Sequence, residues 1–315
     1  MLKILLHLFI LNSLVFAIVD INLAYPKDSK SITAKDIINQ VYFVNHHYAV
    51  KNFALEKVGN DVTLIVRKVK GKRPVVNKVI AYIDNKCKDE KLSSKDLYVF
   101  TSGKLKGVST LITEYKDKNI SEEYMVWLPA LRRIKKFAEP RHDDVLGEID
   151  FALISDVKMR KPDDERHELI ATKKFNQELH TMKIQEKYLT KDTKKIPNST
   201  KAFINKDVYI VKSTVKDDEY SWYNYRVSYI DTKTFVDYRT EYYKEGEKIK
   251  IIDRVWAALP NVSDLRAQRW VTWFSKDLIT KNEQLTYTPE CVVKFNQNYP
   301  EKLWSMKSLK KFKKE

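Results

Sequence analysis

Residues 221–243 read SWYNYRVSYIDTKTFVDYRTEYY, and this stretch decides the fold class. In its first half, Tyr223, Tyr225, Val227 and Tyr229 fall on one side of an extended chain, and residues of mixed polarity alternate with them. Alternation with a period of two residues is typical of a β-strand that buries one face. The second half repeats a strand pattern after a short polar break, so the stretch predicts two neighbouring antiparallel strands.

Strands of the same kind are predicted on both sides of this stretch. They are rich in Val, Ile, Tyr and Thr and cover residues 61–70, 78–85, 97–102, 107–115, 123–129, 201–214, 248–256 and 269–274. Most of the turns between them are too short to hold the crossover helices that parallel strands require. The sequence therefore predicts a β-rich α+β protein built on an antiparallel sheet.

One amphipathic helix is predicted before the strands, within residues 31–52. Ser31 or Thr33 can cap its N-terminus, and Asp36 supplies negative charge in the first turn. Apolar residues recur along one side at helical spacing, at Ile37, Ile38, Val41, Tyr42, Val44 and Tyr48. This helix has a face to bury against the sheet.

The middle of the chain, residues 129–201, is polar and broken by proline, and it predicts short helices and loops. An insert of this kind in a sheet protein either covers something or simply connects the two groups of strands. We predict that Pro129 to Pro162 form a movable lid.

The N-terminus has the layout of a secretory signal peptide, with one lysine, an apolar run and small residues up to Ala17. The alternative is a retained membrane anchor. However, His7, Asn12 and Ser13 interrupt the run, which is shorter than the roughly 20 apolar residues that span a bilayer. We predict cleavage after Ala17, a periplasmic location, a linker at 18–30, a single domain at 31–304 and a basic tail at 305–315.

The composition narrows the function further. The chain has 58 Lys and Arg against 42 Asp and Glu, a net charge of +16, but only the tail is a basic cluster. The excess either attracts anionic headgroups or an acidic partner, or reflects lysines on solvated faces, and their even spread favours the second explanation. Six glycines argue against a nucleotide-binding fold. Cys87 and Cys291 either pair or remain two independent thiols.

The sequence around residues 123–156 resembles a known family. WLPALRR at 127–133, followed by Gly147, Asp150, Phe151 and Asp156, is similar to the outer-membrane lipoprotein-sorting protein family, the larger branch of the LolA-like periplasmic carriers. The resemblance extends over about residues 30–290. It implies a curved, unclosed antiparallel half-barrel with helices that plug or lid its concave face. It also implies an apolar hollow that receives acyl chains or another lipid.

The resemblance and the strand patterns together predict the residues of a ligand-binding cavity or its lid: Phe100, Leu111, Trp127, Leu128, Leu131, Phe151, Tyr225 and Val227. We expect the cargo to be a lipid or lipidated protein that is carried toward the outer membrane. An inner-membrane transporter is the expected donor, and contact with the membrane is transient. No nucleic-acid partner is expected, because the chain is exported.

Two other functions remain open. One is a non-enzymatic periplasmic adaptor that grips a protein partner, such as a component of a resistance-nodulation-division exporter. The other is an enzyme, but the sequence lacks H-E-x-x-H, C-x-x-C and G-x-S-x-G motifs. The acidic clusters at 142–144 and 163–167 lie in polar segments, where charge is usually solvated. We therefore predict no catalytic residue, no metal site and no cofactor.

Overall fold

The computed structural model describes residues 22–26, 31–117, 119–137, 160–216 and 221–311. Two α-helices are present in this part of the chain, α1 (Ala34–Asn45) and α2 (Met306–Leu309). The first eight strands are β1 (Asn52–Leu55), β2 (Thr63–Lys68), β3 (Val75–Asp84), β4 (Leu92–Phe100), β5 (Ser109–Tyr115), β6 (Glu123–Leu128), β7 (Arg133–Phe137) and β8 (Glu165–Lys174). The others are β9 (Asp207–Val215), β10 (Tyr225–Asp231), β11 (Asp237–Lys244), β12 (Glu247–Ala258), β13 (Gln268–Asp277), β14 (Glu283–Tyr287) and β15 (Val293–Phe295).

All fifteen strands belong to one antiparallel sheet. Its order is β7-β6-β5-β4-β3-β2-β14-β13-β12-β11-β10-β9-β8, and β1 pairs with both β3 and β15. The strands at the two ends, β7 and β8, pair with one neighbour each and not with one another. The sheet is therefore open, as predicted for an unclosed half-barrel. No helix in the described residues is long and apolar enough to cross a bilayer.

Different segments of the chain pack on the two faces of the sheet. Helix α1 packs against one face, which we call the inner face; the opposite one is the outer face. His47, in the turn after α1, stacks on Phe53 of β1, and Asn45 donates to Asp237 of β11. Because successive strand residues point to opposite faces, the register of each strand pair then assigns every side chain to one face.

Helix α1 confirms the predicted amphipathic helix, and its N-terminus is a capping box. Thr33 Oγ1 accepts from the Asp36 N–H at 3.1 Å, and the Asp36 carboxylate accepts from the Thr33 N–H at 3.1 Å. Ile37, Ile38, Val41 and Val44 are each at most 1% exposed and join the largest core cluster of the sheet. Burial of this stripe positions the end of the helix over the inner face.

Replacement of Thr33 by alanine is expected to lower the free energy of unfolding by about 1 kcal/mol, since the Asp36 N–H loses its side-chain acceptor. Ser31→Ala is the matched control and should change it by no more than a few tenths of a kcal/mol, because Ser31 lies outside the capping box. Urea denaturation of both variants measures the difference. Equal losses would show that Thr33 is not the cap.

A long connection between β8 and β9, residues 175–206, covers part of the outer face, and we call it the crossing segment. Arg239 of β11 holds it by donating to the Gln177 side chain and, at 2.8 Å, to the Glu178 carbonyl. The same guanidinium pairs with buried Asp253 at 2.7 Å, and His180 also donates to Asp253. Burial raises the pKa of Asp253, but these bonds outweigh that effect and lower it overall.

The C-terminal segment covers another part of the outer face, over β4 to β6. Trp304 and Leu309 are buried against β4, β5 and β6, and the Ser109 hydroxyl donates to the Leu309 carbonyl at 2.8 Å. The Lys310 ammonium lies 5.7 Å from the centre of the Trp127 ring. Residues 305–309, predicted as the start of the basic tail, therefore belong to the packed part of the fold, because Leu309 fills an apolar site that charge patterning does not reveal.

The middle of the chain differs from its predicted helices and loops. Strands β7 and β8 lie within residues 129–201, and short 3₁₀ turns flank them. Both are edge strands, so one side of each stays solvated and lysine, arginine and glutamate are tolerated there. Most of the predicted lid, residues 138–159, lies outside the described residues. Cys87 and Cys291 are both free thiols in this structure.

Candidate functional site

A cavity lies between the C-terminal end of α1 and the inner face of the sheet, with a volume of about 60 Å³. The turn after α1 forms its roof, and β1, β3, β4 and β13 form its floor and walls. Its apolar lining consists of Phe53, Leu55, Ala81, Ile83 and Trp270. Its polar lining includes Asn45, His47, Ser94, Asp96, Tyr98 and Thr288.

Strand alternation explains why β4 brings polar groups to the cavity. Ser94, Asp96 and Tyr98 point to the inner face, whereas Leu97 and Val99 point outward and are fully buried beneath the C-terminal segment. The apolar side of β4 is thus used for the core, and its polar side is left for the cavity. Ala81 and Ile83 of neighbouring β3 supply apolar surface beside these polar groups.

His47 is held as a neutral ring at the roof of the cavity. Its backbone is left-handed, with φ 55°, and the Asn85 amide fixes the turn by donating to the His47 carbonyl at 2.8 Å. The imidazole stacks on Phe53 with ring centres 4.0 Å apart. Burial lowers the pKa of His47 to about 4. Nδ1 lies 3.2 Å from the Gln268 carbonyl, which only accepts, so Nδ1 carries the hydrogen and Nε2 is an acceptor.

Several buried polar atoms on the inner face have no hydrogen-bond partner among the described residues. Two belong to residues that line the cavity, Ser94 Oγ and Trp270 Nε1. Three more lie elsewhere on the inner face, at Thr63 Oγ1, Arg254 Nε and Trp273 Nε1. Native proteins leave few such groups unsatisfied. Trp127 Nε1 and Trp304 Nε1 on the outer side are also without a partner among the described residues, so it is the position of Ser94 and Trp270 in the cavity lining that points to a ligand.

A buried ion pair in the floor of the inner face contacts the end of α1 through Asn45. Arg254 of β12 donates to the Asp237 carboxylate at 2.5 Å, and both side chains are at most 3% exposed. The other Asp237 oxygen accepts from Asn45 at 3.4 Å, and the Asp237 carbonyl accepts from the Trp256 indole at 3.0 Å. The contact with Asn45 is long and therefore weak; the Asn85 amide, which donates to the His47 carbonyl, is the stronger polar attachment of this end of α1.

A second buried pair lies where the chain re-enters the described sheet after residue 159. Glu165 of β8 accepts from Arg226 of β10 at 2.7 Å and from the Tyr223 hydroxyl at 2.8 Å. Nearby, His167 contacts Ser213 and the Pro162 carbonyl. The acidic cluster at 163–167 therefore has structural partners, and the cluster at 142–144 lies outside the described residues. The described residues contain no group of three or more potential metal ligands.

The structure places the predicted cavity residues on both faces. Phe100 and Leu128 point to the inner face, in an apolar cluster with Val126. Leu111 and Trp127 point outward and pack beneath the C-terminal segment. These two pairs alternate along β4 to β6, so the sequence pattern alone could not assign them to a face.

The remaining four predicted residues are more widely spread. Tyr225 and Val227 lie on the outer face of β10, where Tyr225 stacks on Tyr243. Leu131 is 51% exposed in a 3₁₀ turn, and Phe151 lies outside the described residues. None of the seven described residues is among those that line the 60 Å³ cavity.

The sequence did contain a signal for the residues that were missed. Ser94 and Asp96 continue the alternation of Leu97–Phe100 toward the N-terminus, and Trp270 lies in a predicted strand. His47 carried no such signal. Its role depends on the turn after α1, which the helical pattern does not specify.

The fold defines the class of protein, that of the LolA-like open half-barrels. An outer membrane lipoprotein-sorting protein domain from Vibrio parahaemolyticus aligns with a TM-score of 0.63 at 14% identity, over 90% of this chain and 100% of that one. A DUF1329 family protein from Desulfovibrio piger gives 0.64 at 12% identity, over 89% and 100%. A LolA superfamily protein from Nitrosomonas europaea gives 0.53 at 11% identity, over 88% and 100%.

A comparison of the sequence with family models assigns the chain to a family. A family model with the description "Uncharacterized protein" matches residues 93–311, which is more than half of the chain, and the chain belongs to that family. Among curated proteins, none matches the sequence. The predicted resemblance to LolA-like proteins and the predicted open antiparallel half-barrel are thus confirmed at the level of the fold.

Proposed function

We propose that this chain is a periplasmic carrier that binds a lipid or an acylated protein on its inner face and transports it toward the outer membrane. The observation that carries the proposal is the cavity beneath α1, where aromatic and aliphatic side chains line the inner face of an unclosed sheet. Solved structures with the same fold include a lipoprotein-sorting protein domain, which supports this choice of cargo.

The size of the cavity bears on how the carrier loads. At about 60 Å³ it has roughly four to six times the ~10–15 Å³ that one water needs, which is too little for an acyl chain. Loading therefore requires the roof to move. The turn after α1 is proposed as the element that moves, because it forms the roof; its movement would break the bonds from Asn85 to the His47 carbonyl and from His47 to the Gln268 carbonyl.

Burial of the acyl chain supplies the affinity. Each methylene removed from water contributes about 0.8 kcal/mol, so a chain laid along Phe53, Leu55 and Ile83 gains enough to offset displacement of the roof. Phe100 and Leu128 extend the apolar inner surface beyond the cavity and are proposed as further contacts. The segment from Pro129 to Pro162, apart from strand β7, is proposed as the lid.

The periplasmic location is part of the proposal and depends on cleavage after Ala17. The first described residues are already fixed to the fold. Arg266 donates to the Leu23 carbonyl at 2.7 Å, and Gln40 donates to the Ala24 carbonyl at 2.8 Å. A cut after Ala17 leaves this attachment intact. The donor is proposed to be an inner-membrane transporter that the carrier contacts transiently.

Native mass spectrometry of the mature protein, purified without detergent, tests the carrier function. We expect a stoichiometric lipid or acylated peptide, which solvent extraction then identifies. A mass equal to the bare chain, with no uptake of added phospholipid or acylated peptide, would overturn the proposal. That result would favour the protein-binding adaptor, which has no reason to retain lipid.

A further inference from the structure

We infer that the cavity beneath α1 recognises the head of the ligand, and that this head is uncharged and carries both a hydrogen-bond acceptor and a donor, as an amide or a hydroxyl does. This inference rests on the proposed carrier function and adds the chemical class of the ligand. It follows from four polar side chains of the lining, Ser94, Trp270, His47 and Asp96.

Two of these side chains, Ser94 and Trp270, can donate a hydrogen bond to the ligand. Ser94 is 2% exposed, and neither its hydroxyl nor the Trp270 indole nitrogen has a hydrogen-bond partner among the described residues. An indole N–H only donates, whereas a hydroxyl both donates and accepts. A buried donor without a partner is destabilising, so a ligand oxygen that accepts from either group gains affinity.

The other two side chains accept from the ligand. The neutral His47 ring directs Nδ1–H to the Gln268 carbonyl and keeps Nε2 as an acceptor. Asp96 is 5% exposed, and its carboxyl accepts from the Tyr98 hydroxyl at 3.4 Å; a carboxyl group has several acceptor sites and can serve a further donor. The lining thus offers both acceptors and donors, a combination that matches an amide, with its N–H and C=O, or an O–H.

The charges of the cavity lining disfavour a ligand with an anionic head group. Although the chain has 58 Lys and Arg, none of the described residues that line the cavity is a lysine or an arginine, while Asp96 is among them. A carboxylate or phosphate would be buried beside the Asp96 carboxyl without a lysine or arginine as counter-charge, which is unfavourable. The volume of about 60 Å³ also suits a head group and its first carbons and not a whole chain.

Three ligands with the same alkyl chain test the inference, namely N-methyl lauramide, lauryl alcohol and laurate. Isothermal calorimetry at neutral pH is expected to give a Kd for the amide and the alcohol at least about tenfold below that for laurate. Ser94→Ala should weaken the amide by about twofold to tenfold and leave laurate unchanged. Trp270→Phe should act in the same direction. The unfolding midpoint of Ser94→Ala should not fall, because the hydroxyl has no partner to lose.

The outcomes separate this inference from the carrier function. If laurate binds as tightly as the amide, or if Ser94→Ala leaves the amide unchanged, the polar head site is wrong and the carrier function stands. If none of the three ligands binds to the wild-type protein, both proposals fall. A selective loss of amide affinity in Ser94→Ala, with laurate unchanged, establishes the head site.

Discussion

Replacement of Arg226 by methionine is expected to lower the free energy of unfolding by about 3–5 kcal/mol, the largest effect on stability that we predict. The Arg226 side chain is 4% exposed and its partner Glu165 is fully buried. In the variant, Glu165 would keep the Tyr223 hydroxyl as a donor but lose its counter-charge. A buried carboxylate without a counter-charge is costly, whereas the intact pair balances its own burial.

The matched control is Arg166→Met, which removes the same charge from an exposed position next to Glu165 on β8. It should change the free energy of unfolding by less than about 1 kcal/mol. The double variant Glu165→Met/Arg226→Met should recover most of the loss, because no charge is then left unpaired. Equal effects of Arg226→Met and Arg166→Met in urea denaturation would contradict this account of the pair.

The pH dependence gives an independent check with a definite sign. Burial raises the pKa of Glu165, but Arg226 and Tyr223 outweigh it and hold the pKa below its ordinary value of 4.5. The pair therefore stabilises the wild type above about pH 4.5 and loses this contribution as the pH falls through the lowered pKa. Without Arg226, burial raises the pKa of Glu165, so the difference in free energy of unfolding between the wild type and Arg226→Met should become smaller at acidic pH. A difference that stays constant with pH would mean that lost packing causes the destabilisation.

Much of the fold could be predicted from the sequence because its signals are local. The Thr33 cap and the apolar stripe of α1 depend on spacing within a few turns. The strands around Tyr225 and Tyr242 depend on alternation within ten residues. Strands β7 and β8 could not be predicted in this way. As edge strands they need little apolar surface, and β8 exposes Leu169 and Ile170 beside lysine and glutamate.

The candidate site was harder to predict, because period-two alternation defines two faces and does not say which one meets α1. Leu111 and Trp127 belong to the apolar face of their strands, which the C-terminal segment covers. Ser94 and Asp96 were missed because LSSKD has the composition of a loop, although it is the first half of β4. The inner face is in part the polar one here, so a selection of apolar residues on β4 to β6 included both inner-face and outer-face positions.

Replacement of Ala81 by leucine is expected to weaken the binding of every lauryl ligand by between about tenfold and hundredfold. Ala81 is 3% exposed and lies in the cavity wall between Leu55 of β1 and Tyr98 of β4. The three added carbons would take space that the ligand needs. At about 0.8 kcal/mol per carbon, the free energy of binding becomes less favourable by about 2.4 kcal/mol, which corresponds to that range in Kd.

The control is Ala258→Leu, which adds the same three carbons at the exposed end of β12 and should leave binding unchanged. Thermal unfolding of both variants must show a folded protein, and we expect Ala81→Leu to be well tolerated because the cavity accepts the added volume. Ser94→Ala should discriminate between head groups, whereas Ala81→Leu should affect amide, alcohol and laurate alike. Unchanged binding in a folded Ala81→Leu variant would mean that the ligand lies elsewhere, since a side chain that fills the cavity cannot share it with a ligand.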